Sequence, residues 1–131
     1  MVIVDSTVWI DYLNRTRTPQ TEWLDREVGR QRFGLVDLAL CEVLQGLRHE
    51  RRVREAQSAL LKFEIFTTGG IEFALAAAGN YRTLRARRRT VRSTIDAWIA
   101  TFCLLYGHQL LRDDRDFDHF EEVLGLQIVH P

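Results

Sequence analysis

Asp113, Asp114 and Asp116 crowd three carboxylates into four positions, one residue after the apolar pair Leu110-Leu111. A helix cap needs one Asp, and the second and third repel it unless a cation is shared among them. Three further acids stand in comparable settings. Asp5 follows the apolar run Val2-Ile3-Val4, at the carboxyl end of a predicted strand, where open α/β sheets keep their ligand crevice. Glu42 lies just over one turn inside a predicted helix, with Gln45 and His49 extending its polar edge. Asp96 heads the most apolar helix of the chain, where an unpaired carboxylate is costly unless something positive arrives.

Each acid also has an ordinary reading by itself. Asp5 or Ser6 suits a helix cap, Glu42 a helix's acidic first half, and Asp96 a capping box with Ser93. As a set, two strand-end acids (Asp5, Asp114) and two helix-start acids (Glu42, Asp96) can converge on one crevice. Such a cluster suits Mg²⁺ or Mn²⁺, hard cations that prefer oxygen ligands. The matching chemistry is metal-assisted hydrolysis of a phosphodiester, in which the ion polarises the phosphate, lowers the pKa of water and orients the attack.

Competing machinery is absent: there is no P-loop, no Gly-x-Ser-x-Gly elbow and no His pair at metal spacing. His49, His108, His119 and His130 are scattered and read as surface or edge residues. Cys41 and Cys103 sit in apolar helical patterns without zinc spacing, as buried reduced thiols. Gly46 inside a helix predicts close approach by another group. With 46% hydrophobic and 27% charged residues the chain is globular rather than disordered. Its 131 residues, 1–131, are read as one domain. Eighteen basic and eighteen acidic residues cancel, so net charge gives no argument for whole-molecule attraction to nucleic acid. No apolar run approaches the ~18 residues of a membrane span and nothing resembles a signal peptide, so a cytoplasmic location is expected.

The elements that must position these acids alternate. Strands are predicted at 2–4, 33–36, 64–67, 109–111 and 127–129. Helices follow the first strand, run from Pro19 behind a Thr18 cap to Gly29, start after Asp37, and cover 50–63 and 71–89. A further helix opens at Ser93-Thr94 and ends at Gly107, and a short one runs from Phe117 to Leu124. The helix after Asp37 carries Leu40, Val43, Leu44 and Leu47 as its core stripe. This alternation predicts a three-layer α/β/α domain with a central parallel sheet.

Four stretches carry a resemblance. Val-Asp-Ser-Thr-Val-Trp-Ile at 4–10, Cys-Glu-Val-Leu-Gln-Gly at 41–46, Ile-Asp-Ala-Trp-Ile-Ala at 95–100 and Leu-Leu-Arg-Asp-Asp-Arg-Asp-Phe at 110–117 resemble the PIN-domain ribonucleases. More narrowly the chain is similar to VapC-type toxins of prokaryotic toxin–antitoxin pairs, over essentially its whole length. The resemblance implies a PIN-like α/β/α fold and a Mg²⁺- or Mn²⁺-dependent endoribonuclease leaving 3′-hydroxyl and 5′-phosphate ends. It also implies a homodimer silenced by a VapB-type antitoxin whose tail covers the active site. By position, Asp5, Glu42, Asp96 and Asp114 match the four acidic site residues, Asp116 the additional acid of many members, and Thr7 the hydroxyl beside the first Asp. Asp113 is left as a solvent-facing loop residue. Arg112 departs from the pattern, standing where many relatives have Thr or Ser; it is free to bind phosphate or to pair with an acid.

Arg82, Arg85, Arg87, Arg88, Arg89 and Arg92 place six positive charges in eleven residues. With Arg82, Arg85 and Arg89 on one helical face, the run is a ridge for RNA phosphates, a solvated surface, or a dock for an acidic antitoxin segment. Trp9, Trp23 and Trp98 occupy packing or dimer positions rather than base-stacking platforms. Two rival functions are weaker. A receiver-like Mg²⁺-binding signalling module needs an acid pair after the first strand and a lysine near the last, whereas Ser6 follows Asp5 and the only lysine, Lys62, lies far from the end. A non-catalytic component of a DNA-bound repressor complex lacks a helix-turn-helix, so specific DNA binding is expected from the antitoxin, not from this chain.

Overall fold

The computed structural model describes residues Met1–Pro131. Its strands are β1 (Val2–Val4), β2 (Phe33–Val36), β3 (Glu64–Phe66), β4 (Gln109–Leu111) and β5 (Gln127–Ile128). The helices are α1 (Ser6–Leu13), α2 (Pro19–Glu27), α3 (Asp37–Gln45), α4 (Glu50–Leu60), α5 (Ile71–Ala86), α6 (Thr94–Tyr106) and α7 (Asp118–Leu124), with a 3₁₀ turn at Arg115–Phe117. All strands pair in parallel, in the order β3-β2-β1-β4-β5. Helices cover the sheet, as parallel sheets require, and the arrangement is the expected three-layer α/β/α fold.

The strand order reverses between β1 and β4. Crevices for ligands form outside the carboxyl ends of strands at such a switch point, and Asp5 and the 112–116 loop follow these two strands. A receiver-type flavodoxin-like sheet has the order 2-1-3-4-5, so the topology disfavours the signalling reading.

Burial explains why this edge is rigid. Val2, Ile3 and Val4 of β1 and Leu110 and Leu111 of β4 are buried at 0–1% exposure, and Trp9, Leu24, Ile99, Phe117 and Phe120 close over them. Each such side chain contributes about 1.5–3 kcal/mol relative to exposure. Between β2 and β3 the backbones come so close that a Cβ on Gly34 would lie 2.8 Å from the Glu64 carbonyl oxygen. No helix is long and apolar enough to cross a membrane.

The β1, β2 and β4 bounds and the Thr18–Pro19 start of α2 agree with expectation. Elsewhere the ends differ. β3 and β5 each stop one residue early, and α4 ends at Leu60 rather than 63. Helix α5 stops at Ala86, because Arg88 turns left-handed (φ 58°) and the Arg89 N–H reaches back to the Leu84 carbonyl at 2.9 Å. That closure usually employs glycine, and a run of helix-favouring arginines gives no sign of it. The α3 stripe is also narrower than expected: Val43 is buried beside Ala39, while Leu40, Leu44 and Leu47 are half-buried. Gly46 merely ends α3, since a Cβ there would make ordinary contacts at 3.6 Å and 3.7 Å with the helix's own carbonyls. Cys103 is buried, but Cys41 is exposed, contrary to expectation.

Candidate metal centre

Asp5 directly follows β1 and caps the helix after it. As N-cap of α1 its Oδ1 accepts the Val8 N–H at 2.9 Å, and its Oδ2 accepts the Asp113 N–H at 3.3 Å. The carboxyl is only 2% exposed. Burial pushes its pKa up to about 7 against those two donors, with help from the negative charges of Asp96 and Asp113.

Asp96 is the third residue of α6. Ser93 caps that helix by accepting the Ile95 N–H at 3.2 Å, but Asp96 does not complete the capping box. Its carboxylate accepts no hydrogen bond and turns instead toward the β4 loop. Burial, followed by the charges of Asp114, Glu42 and Asp116, lifts its pKa to about 7.

Asp114 caps the 3₁₀ turn, its Oδ1 accepting the Asp116 N–H at 2.9 Å. One carboxylate oxygen from each of Asp96, Asp114 and Asp116 lies within 4.8 Å of the others. Asp5 and Glu42 are not among these converging ligand atoms, but both lie near enough to Asp96 for their charges to interact with it. Glu42 Oε1 accepts the Ser6 hydroxyl at 2.8 Å, a bond that ties α1 to α3 and orients the carboxylate. Thr7 is exposed, whereas the hydroxyl that bonds to a site acid is that of Ser6. Asp113 is exposed as expected, and its hydrogen bond to Asp5 comes from its backbone N–H.

The arginines fall into separate roles. Arg92 grips Asp116: its Nε donates to Oδ2 at 3.1 Å, its backbone N–H donates to the same oxygen at 3.2 Å, and a terminal nitrogen lies 3.9 Å from Asp114 Oδ1. Burial works to raise the Asp116 pKa, but the bonds from Arg92 outweigh it and hold the carboxyl below its usual range. Arg112 pairs with Asp118, its Nε 2.9 Å from Oδ1, away from the trio. Arg89 pairs with Glu122 at 3.0 Å, while Arg82 and Arg85 stay on the exposed face of α5. The single helical ridge of Arg82, Arg85 and Arg89 therefore does not form, since α5 has already ended. All three tryptophans pack internally: Trp9 on Phe63 at 4.7 Å, Trp23 on Phe33 at 5.8 Å and Trp98 on Phe73 at 4.6 Å between ring centroids.

Sequence reasoning missed Ser6 as the orienting partner of Glu42 and Arg92 as the partner of Asp116. The first left a signal, a hydroxyl beside Asp5; the second left only one arginine among six. The three ligand atoms brought together are all carboxylate oxygens, and one of them, from the half-buried Asp96, lacks any hydrogen-bonding partner. Such a set suits a hard divalent cation and does not suit soft or imidazole-seeking metals.

Comparison with known proteins adds a lineage to this geometry. The PIN domain family model matches residues 2–123. Ribonuclease VapC11 of Mycobacterium tuberculosis is 25% identical over 130 residues, spanning 97% of this chain and 96% of the relative. Among solved structures, VapBC2 from Rickettsia felis bound to a promoter DNA fragment aligns with a TM-score of 0.78 at 12% identity, covering 98% of each chain. VapBC-1 from nontypeable Haemophilus influenzae aligns with a TM-score of 0.75 at 18% identity, covering 98% of this chain and 97% of that one. At these identities the structural matches speak for the fold.

Proposed function

The chain belongs to the PIN domain family, and from that premise we propose that it is a Mg²⁺- or Mn²⁺-dependent endoribonuclease, the toxin of a VapBC-type toxin–antitoxin pair. The observation that carries this reading is the convergence of Asp96, Asp114 and Asp116 within 4.8 Å, with the Asp96 carboxylate unpartnered. Its resemblance to a VapC ribonuclease over nearly the whole chain supports the substrate class.

In this reading Asp5, Asp96, Asp114 and Asp116 hold the cation, and Glu42 completes the set directly or through water. A divalent ion held there supplies Lewis-acid polarisation of a phosphate and a lowered pKa for the attacking water. The chain's own groups do the rest. Asp5, fixed by two backbone N–H donors, keeps its carboxylate in one orientation. Ser6 occupies Glu42 Oε1, which leaves Oε2 to accept a hydrogen bond from the attacking water and to orient it. Attack on phosphorus with departure of the ribose 3′-oxygen leaves a 3′-hydroxyl and a 5′-phosphate. A VapB-type antitoxin is the proposed silencing partner, in line with the VapBC complexes among the structural neighbours. The proposed homodimer has an exposed apolar stripe available on α5, at Ile71 and Leu75.

Purified chain incubated with structured RNA is expected to cleave it with Mg²⁺ or Mn²⁺, to stop in EDTA, and to be silenced by the cognate antitoxin. Products are expected to carry 3′-hydroxyl ends. Cleavage that persists in EDTA, or none with either ion, contradicts the proposal.

A further inference from the structure

Arg92 lies in the segment between α5 and α6, and its side chain is 77% exposed. Even so, it is the only guanidinium in contact with the carboxylate trio. Arg89 and Arg112 are committed to Glu122 and Asp118, and Arg115, though its neighbours are Asp114 and Asp116, makes no ion pair. Two observations separate Arg92 from an ordinary surface pair. It spans two members of the trio, with its Nε 3.1 Å from Asp116 Oδ2 and a terminal nitrogen 3.9 Å from Asp114 Oδ1. It is also anchored independently of its charge, because its backbone N–H donates to Asp116 Oδ2 at 3.2 Å. The guanidinium can swing away while residue 92 keeps its place.

We propose that Arg92 is a resident counter-cation of the site, so that metal loading exchanges its guanidinium for the divalent ion on Asp114 and Asp116. The inference rests on the metal-centre reading above and adds to it the group that the ion must displace. The physical case is one of competition. A guanidinium presents donors that fit carboxylates, but at this exposure the pair is weak and screened by salt. A divalent ion carries twice the charge and also reaches Asp96, which Arg92 does not touch. The exchange therefore runs in favour of the ion, at the cost of part of its affinity. Arg92 keeps the trio from being an uncompensated negative cluster before the ion arrives.

The test measures Mn²⁺ affinity by titration calorimetry without RNA, so that it reads the exchange and not turnover. Arg92→Gln is expected to bind Mn²⁺ roughly threefold to tenfold more tightly than the unaltered chain, the size of one displaced two-carboxylate pair. Arg115→Gln removes the same charge one step away without removing a contact, and is expected to change affinity by less than about twofold. Arg92→Lys, which keeps the charge, is expected to lie near the unaltered chain. In EDTA, Arg92→Gln is expected to melt lower, and Mn²⁺ to raise its melting temperature further than that of the unaltered chain. Equal affinity in the Arg92→Gln and Arg115→Gln proteins, or weaker binding in Arg92→Gln, overturns the exchange while leaving the metal centre standing. Absence of Mn²⁺ binding in the unaltered chain overturns the metal-centre reading itself.

Discussion

Asp96→Asn is expected to abolish RNA cleavage and, in the same protein, to raise the melting temperature measured in EDTA. Most substitutions leave stability unchanged or lower, so a gain in stability joined to a loss of activity marks relief of strain at the site. The substitution breaks no hydrogen bond, since the Asp96 carboxylate accepts none. It removes a negative charge that burial, Asp114, Glu42 and Asp116 all oppose. Because the group is only half-buried, solvent screening discounts the gain to about 1 kcal/mol, a shift of a few degrees for a domain of this size. Removing one oxygen ligand from a hydrolytic ion is expected to cost at least about a hundredfold in cleavage rate. Thermal melts in EDTA and an RNA cleavage assay on one preparation read both effects. Unchanged cleavage, or a lower melting temperature, contradicts the role given to Asp96.

The second large effect is on pH dependence in the absence of metal. Asp5 and Asp96 have folded values raised from 3.8 to about 7, so over that interval the folded chain binds more protons than the unfolded one. Stability then falls as pH rises through the interval, by an upper bound of about 4 kcal/mol for the buried Asp5. Asp116 has the opposite sign, but its window lies below the ordinary carboxylate range and is spent before pH 5. His108, lowered by burial and by the Met1 ammonium, also opposes the trend, from a half-exposed position at the far end of the sheet. The melting temperature in EDTA is therefore expected to be higher at pH 5.5 than at pH 8. Saturating Mn²⁺ should raise it more at pH 8 than at pH 5.5, because protons compete for the same oxygens. A flat or rising profile in EDTA, or an equal Mn²⁺ shift at both pH values, contradicts the shared electrostatic strain of the cluster.

How far the sequence carried these conclusions depends on the range of each interaction. Strands buried on both faces announce themselves as unbroken apolar runs, which is why Val2–Val4 and Leu110-Leu111 were readable and the acids after them could be placed at one sheet edge. Thr18 and Pro19 marked the start of α2 through capping chemistry that is local by nature. The end of α5 was not readable, because its left-handed closure falls on an arginine. Contacts made across the fold leave no local pattern. Ser6 meets Glu42 thirty-six positions away, and Arg92 meets Asp116 twenty-four away. The capping-box spacing of Ser93 and Asp96 is the most misleading local signal, for the Asp96 carboxylate bonds to nothing at the helix end and lies beside Asp114 and Asp116 instead.

Anomalous diffraction from crystals soaked in Mn²⁺ reads whether the acids at the β1/β4 edge hold a divalent ion. A peak is expected roughly 2 Å from oxygens of Asp96 and Asp114, on the side facing Asp5 and Glu42, with the Arg92 guanidinium withdrawn from Asp114. No peak among these carboxylates at saturating Mn²⁺, or ordered peaks only elsewhere on the surface, would contradict the metal centre.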